Sequence, residues 1–412
     1  MRLFPILSAL LLLPTPIFAA DFPKFKTQEI DTSLKIGYAV FIADINGDKK
    51  PDIVVVDQHK VVWYENPGRQ GAEWKKRIIL DGKTRPDNVC AAAVDIDGDG
   101  LPEIVLGSAW KPFDTANAAQ LSWLKRGKTL DEEWTMHTIP CDEPTIHRVR
   151  VIENGGDGKP RIISVPLMGR DSTQKENWMD GRPVRVMSYP IPKNPEKPES
   201  WKPEVLSEDL HVTHNFWPNP GFPHKLGTSM LVASYEGVSE IHRDGSKWVT
   251  ARIGEGNQAN PKGNRGASEI KQSADKLGVI ATIEPWHGNQ VVVYTPGEEG
   301  KLWSRHVIDE QLRWGHAVWF ADLDGDGVDE LIIGVRDDPN PKAGDKHTER
   351  RGVRIYKNTD GKGATWERMI LEDGGVAVED LVAADLDGDG KIDIIAVGRA
   401  TGNCRIYWNQ GK

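Results

Sequence analysis

Cysteine is nearly absent: Cys90, Cys141 and Cys404 are the three in 412 residues. They allow one disulfide at most, so the chain is no disulfide scaffold, and burial as small apolar side chains is the simplest expectation. No Gly-x-Ser-x-Gly elbow and no P-loop occurs. No pair of acids is placed as glycoside hydrolysis requires. A basic stripe is missing too, and the net charge is −9, or −10 once Arg2 is removed with a leader. Nucleic acid is therefore not an expected partner. Helical periodicity is nowhere sustained. Beyond residue 18 no apolar run is long enough to cross a bilayer, so no membrane span is expected.

What is present begins with a targeting segment. Arg2, the apolar run Leu3 to Phe18 and the small residues Ala19 and Ala20 read as a signal peptide over residues 1–20. Pro14 and Pro16 interrupt the run, which disfavours an anchor. The expected mature protein, 21–412, is soluble and secreted or periplasmic. It contains 41 Gly, 27 Pro and 15 Trp, with short apolar runs such as Ile53–Val56 and Leu331–Ile333 bounded by turn residues. This is a strand pattern.

One signature recurs four times: Asp44, Asn46, Asp48 and Asp52; Asp95, Asp97, Asp99 and Glu103; Asp322, Asp324, Asp326 and Glu330; Asp385, Asp387, Asp389 and Asp393. A second, a Trp heading a short amphipathic strand, recurs at Trp74, Trp134, Trp201, Trp248, Trp303 and Trp366. A third strand lies between them, as at Val61–Tyr64. The unit is four strands in roughly 50 to 60 residues. Seven inner strands begin near Gly37, Asn88, Ile146, His214, Ala267, Gly315 and Val378. The expected fold is all-β, a single-domain seven-bladed propeller of four-stranded antiparallel blades. The chain ends after the third strand of unit seven, and Phe25 to Ile30 is expected to supply the fourth, closing the ring. Acids at positions 1, 3, 5 and 9 of a Gly-rich loop, without His or Cys, are a hard-oxygen set suited to structural calcium. An Asx-rich turn without metal is the competing reading. These repeats resemble the FG-GAP/VCBS class, which includes the integrin α-chain propeller. That resemblance implies fold and calcium but little chemistry.

Strand alternation then sorts residues by face. The acidic loops join strands 1 and 2, so starts of strand 1 and the 2–3 turns share the opposite face. The 2–3 turns hold His59, Trp110, Arg170, Glu284, Trp286, His287, Arg336 and Asp337. Starts of strand 1 hold His147, Arg148, His214, Asn215, Arg265, Arg313 and His316. Five of the 11 histidines thus gather on one rim or channel mouth. The long insertions 111–119, 171–183 and 338–351 emerge there too. Channel-lining groups bonded to backbone are the bland alternative for any one of them.

Histidine is a general base near neutral pH. Arginine stabilises carboxylates and developing oxyanions, and three imidazoles can hold a divalent metal. The set fits proton abstraction α to a carbonyl followed by β-elimination. The stretches Asn264–Glu269, Ile283–Gln290 and Arg313–Ala317 resemble the propeller part of aldos-2-ulose dehydratases and are similar to propeller lyases that cleave rhamnose–glucuronate linkages. That resemblance implies a site of His147, His214, His287 and His316 with Arg148, Arg265 and Arg313. His59, Trp110, Arg170, Trp286 and Arg336 are then the candidate substrate contacts. The dehydratases continue into cupin-like domains, whereas this sequence stops at Lys412, so steps needing those domains are not expected. Three readings stand: a secreted carbohydrate lyase or dehydratase, a non-catalytic propeller binding a uronate-containing polysaccharide or a protein, and a quinone-cofactor sugar dehydrogenase.

Overall fold

A computed structural model describes residues 21–152, 158–218, 229–298, 300–336 and 351–412. The expected leader 1–20, Asp337 and all but the last residue of the 338–351 insertion lie outside the described residues.

The second strand of a blade is an unbroken run of β-branched and aliphatic residues, and it is buried on both faces. Asp52–Asp57, Glu103–Ser108, Glu330–Val335 and Asp393–Gly398 are buried throughout, because blades pack on each side. Outer strands are partly exposed instead, as in Lys75–Asp81 and Trp366–Asp373, with one face in water. The described strands form seven four-stranded antiparallel sheets. Their innermost strands contact one another in sequence and return to the first. The strand Phe25–Asp31 pairs with Cys404–Asn409 and completes blade seven, as the missing outer strand required. Closure leaves no unprotected inner edge. Among the described residues, helix is limited to the short 3-10 turns Gln174–Glu176 and Pro198–Ser200. No described helix is long and apolar enough to cross a membrane. All three cysteines are free; Cys90 and Cys404 are buried and Cys141 partly so.

The acidic loops occupy blades six, seven, one and two, a contiguous arc across the seam of the ring. The loops of blades six, seven and one are each latched to the next blade. Asn409 Nδ2 donates to Leu323 O of the blade-six loop at 2.7 Å and to Ile392 O at 3.1 Å. Asn66 Nδ2 donates to Leu386 O of the blade-seven loop at 2.8 Å and to Pro51 O at 2.9 Å. Arg126 takes the same place in blade two, bonding Ile45 O and Pro102 O. These carbonyls belong to turns with no ladder partner, so the latch satisfies groups that burial would otherwise orphan. Asn66 is 1% exposed. Asn66→Ala is expected to lower the unfolding free energy by about 1–3 kcal/mol in urea denaturation; an unchanged midpoint would contradict the latch.

Candidate functional site

The opposite face is shaped by a repeated backbone irregularity. The ladder between strands 1 and 2 skips one residue in four blades: Tyr38 in blade one, His147 in blade three, His316 in blade six and Glu379 in blade seven. A β-bulge leaves the extra residue outside the pairing and re-aims its side chain. All four side chains line one cavity of about 520 Å³ at the channel mouth. His214 joins them from the start of strand 1 in blade four. His287 comes from the 2–3 turn of blade five, in left-handed backbone at φ 50°.

The imidazoles meet closely. His214 and His287 approach Nε2 to Nε2 at 2.8 Å, and their rings and that of His316 have centroids 4.6 to 5.1 Å apart. His147 packs on His214 at 4.5 Å. Backbone carbonyls set two tautomers. His147 Nδ1 faces His214 O at 2.8 Å, and His316 Nδ1 faces Glu379 O at 2.5 Å. A carbonyl only accepts, so both Nδ1 atoms carry the proton and both Nε2 atoms carry a lone pair. The His147 lone pair is occupied by Arg148, 3.2 Å away. The His316 lone pair faces Glu379 Oε1 at 4.0 Å, too far for a hydrogen bond. His214 Nδ1 lies 2.8 Å from Glu269 Oε1, but at an angle that makes no hydrogen bond. Burial, then the Arg148 and Arg336 guanidinium groups, hold all four imidazoles well below the ordinary histidine value. They are neutral at pH 7, in the state a base or a metal ligand needs.

Below the cluster the channel is closed by its own charges and rings. Arg148 reaches Glu269 at 3.4 Å, and Asn215 Nδ2 donates to the same carboxylate. Burial raises Glu269 while Arg148 opposes it. Deeper still, the Lys271 ammonium lies 2.9 Å from the Trp217 ring centre and 4.3 Å from that of Trp319. The cavity lining therefore comes from the face opposite the acidic loops. Trp110, Trp286, Trp314, Tyr235 and the stacked pair Phe113–Trp178 form its walls. Arg336 and Arg399 line it while sharing the Glu379 carboxylate at 3.3 and 2.8 Å.

Of the residues marked in the sequence, His147, His214, His287, His316, Trp110, Trp286 and Arg336 line the cavity, with Arg148 bonded to His147. Four are elsewhere. Arg265 is held by Pro261 O and the Met179 sulfur. Arg170 bonds Ala116 O and Asp142 O between two insertions. His59 is exposed. Arg313 sits before the bulge and is not among the lining residues. Glu284 is buried against Tyr294 and Arg305. Tyr38, Glu379, Arg399, Glu269 and the aromatics Phe113, Trp178, Tyr235 and Trp314 were not singled out. Glu379 carried a usable signal, since it starts strand 1 in unit seven as His316 does in unit six.

On the other face, the first acid of each loop accepts backbone N–H bonds within its own turn, as Asp44 does from Gly47 and Asp385 from Gly388. Ligand oxygens of Asp95, Asp97 and Asp99, of Asp322, Asp324 and Glu330, and of Asp385, Asp387 and Asp393 lie within 4.8 Å of one another. The Asp44 loop, with Asn46 in second place, gathers no such acid triad among the described residues. Burial and neighbouring acids push Asp52 up to about 6 and Glu330 and Asp393 up to about 7. A cation among them would relieve that repulsion, so the donor sets fit calcium. In blade six, Lys357 puts its ammonium against Asp324, Asp326 and Glu330.

A family model described as the aldos-2-ulose dehydratase β-propeller domain matches residues 118–297, and one for the FG-GAP-like repeat matches residues 44–106. The first match contains His147, His214 and His287; His316 lies beyond it. An aldos-2-ulose dehydratase of Phanerodontia chrysosporium is 26% identical over 290 residues, which are 65% of this chain and 31% of that enzyme. The match thus spans less than a third of that relative's length. Among solved structures, BBS1N in complex with ARL6DN superposes with a TM-score of 0.51 at 11% identity, covering 95% of this chain and 98% of that one. The Dos1 propeller gives 0.52 at 9%, covering 90% and 79%. Identities this low speak to fold alone. Fold, repeats and matched segment together identify the chain as a seven-bladed β-propeller with FG-GAP-like repeats, its central blades similar to the propeller domain of aldos-2-ulose dehydratases.

Proposed function

We propose that this propeller is a carbohydrate-active lyase or dehydratase that removes a proton α to a sugar carbonyl. The carrying observation is a neutral imidazole, His316, whose Nε2 lone pair has no hydrogen bond to the facing Glu379 carboxylate, in a cavity also lined by Arg336 and aromatic rings. In the step, His316 Nε2 takes the α-proton and the electron pair forms a C=C bond. The C–O bond at the β carbon breaks, and the departing oxygen takes up a proton. Arg336 offers a guanidinium to the charge that develops on the carbonyl oxygen. Similarity to the dehydratase supports a sugar substrate.

The reading includes export after cleavage of residues 1–20 and calcium as a structural ion in the acidic loops. His214, His287 and His316 bring ligand nitrogens within 4.8 Å of one another, so the same three fit a divalent metal, which would polarise a carbonyl. Ligand and base are alternative roles for His316. The test is the ultraviolet absorbance of the unsaturated product when the protein meets a panel of aldos-2-uloses, keto-sugars and uronate-containing glycans. Protein stripped with EDTA and resupplied with calcium is run beside it. A rising signal is expected. Its survival in the stripped sample keeps His316 as base, and its loss there assigns the three imidazoles to a metal. A flat trace across the panel, with sugar binding retained, would replace the enzyme by a binding propeller.

A further inference from the structure

We infer that Phe113 and Trp178 form an outer subsite that stacks a second sugar ring, so that the substrate is a disaccharide or an oligosaccharide end. This rests on the proposed carbohydrate reading and extends it. Phe113 is 63% exposed. The other large apolar side chains exposed among the described residues, Ile78, Val205, Val249, Leu302, Val307 and Ile370, all lie on or beside outer strands. Phe113 is the aromatic one, and it lies at the cavity. Its ring stacks on Trp178 at 5.5 Å and 13°, and both line the space that continues to the imidazoles.

The pair is built rather than loose. It joins two insertions stitched together by Asp171 N to Thr115 O at 3.1 Å and Thr115 Oγ1 to Ser172 O at 2.9 Å. The tip of the second insertion is closed by Thr173 on Asp180 and tied to a third segment by Asn177 Nδ2 on Gly263 O at 3.0 Å. Trp178 holds φ 63°, a conformation that a bulky residue keeps only when its surroundings impose it. Around the pair lie polar groups, Gln174, Asn177, Lys262 and Asn264. An aromatic face rimmed by amides and an ammonium suits a pyranose, which offers C–H groups on its face and hydroxyls at its edge. A second observation points to a polar ligand. Trp286 also lines the cavity, and its buried Nε1–H has no partner among the described residues, a donor that calls for an acceptor. The volume of about 520 Å³ falls in the range of sites that enclose drug-sized ligands, which leaves room beside the ring at the imidazoles.

The test compares a hexos-2-ulose with the same sugar carrying a second glucosyl ring, on wild type, Phe113→Ala and Phe113→Trp. Phe113→Ala is expected to raise KM for the two-ring probe about tenfold, ~1.4 kcal/mol of binding, several-fold more than it raises KM for the one-ring probe. Phe113→Trp should restore the two-ring KM. Equal effects of Phe113→Ala on both probes would overturn the subsite. If wild type turns over neither probe, the lyase reading fails on its own. Calorimetry with the same pair then decides the subsite: selective loss of two-ring affinity in Phe113→Ala sustains it, and equal affinities remove it.

Discussion

His316→Ala is expected to lower kcat by about 10²–10⁴-fold, the range for removal of a positioned acid–base group. The reason lies in how the four imidazoles are committed. His147 has both nitrogens engaged, Nδ1 by His214 O and Nε2 by Arg148. His214 and His287 face each other at Nε2. His316 is fixed at Nδ1 by Glu379 O, while its Nε2 makes no hydrogen bond to the facing carboxylate. His147→Ala should therefore cost less in kcat than His316→Ala. His316→Gln, closer in size, should lose as much activity as the alanine variant while melting near wild type. Steady-state kinetics with circular dichroism decides the matter. A His316→Ala protein that is folded and retains more than about a tenth of wild-type kcat would move the base elsewhere.

Removing the proposed calcium is expected to have the second large effect. If the loops bind calcium as proposed, with the affinity of about 0.1–1 mM typical of extracellular modules, each would contribute about 0.5–1.5 kcal/mol at millimolar calcium. Four loops sum to about 2–6 kcal/mol, a large part of the ~5–15 kcal/mol by which a domain is stable. The blade-six loop should contribute least, because Lys357 already supplies a positive charge there. The effect is not confined to loops. Asn409, Asn66 and Arg126 hang successive blades on loop carbonyls, and the Asn66 latch crosses the seam between blades seven and one. Chelated protein should thus unfold at lower urea, and calcium should reverse the change. Coincident curves with EDTA and with calcium would leave these loops as Asx turns.

The blades were legible because they repeat. Four acidic loops and a Trp at six of the outer strands mark the unit, and the lone strand Phe25–Asp31 had to pair with Cys404–Asn409. The face bearing the site followed from alternation alone, and His147, His214, His287 and His316 were found that way. Hidden from the sequence was the bulge, which in four blades re-aims one residue at the start of strand 1 toward the cavity. Arg148 and Arg313 lie one and three residues from bulged histidines: Arg148 caps His147 and reaches Glu269, and Arg313 does not line the cavity. Arg265, Arg170 and His59 share the face without sharing the cavity, because a rim is wider than a channel mouth. Phe113 and Trp178 lie in insertions whose position could be read but whose stacking depends on contacts between two blades.

The central claim is that proton abstraction occurs at the imidazole cluster. Its most direct test is proton NMR of a hexos-2-ulose in deuterated buffer with wild type and His316→Ala side by side. Loss of the α-proton signal and growth of an alkene signal with wild type, both absent with His316→Ala, is the predicted result. Equal alkene growth with both proteins would contradict the account.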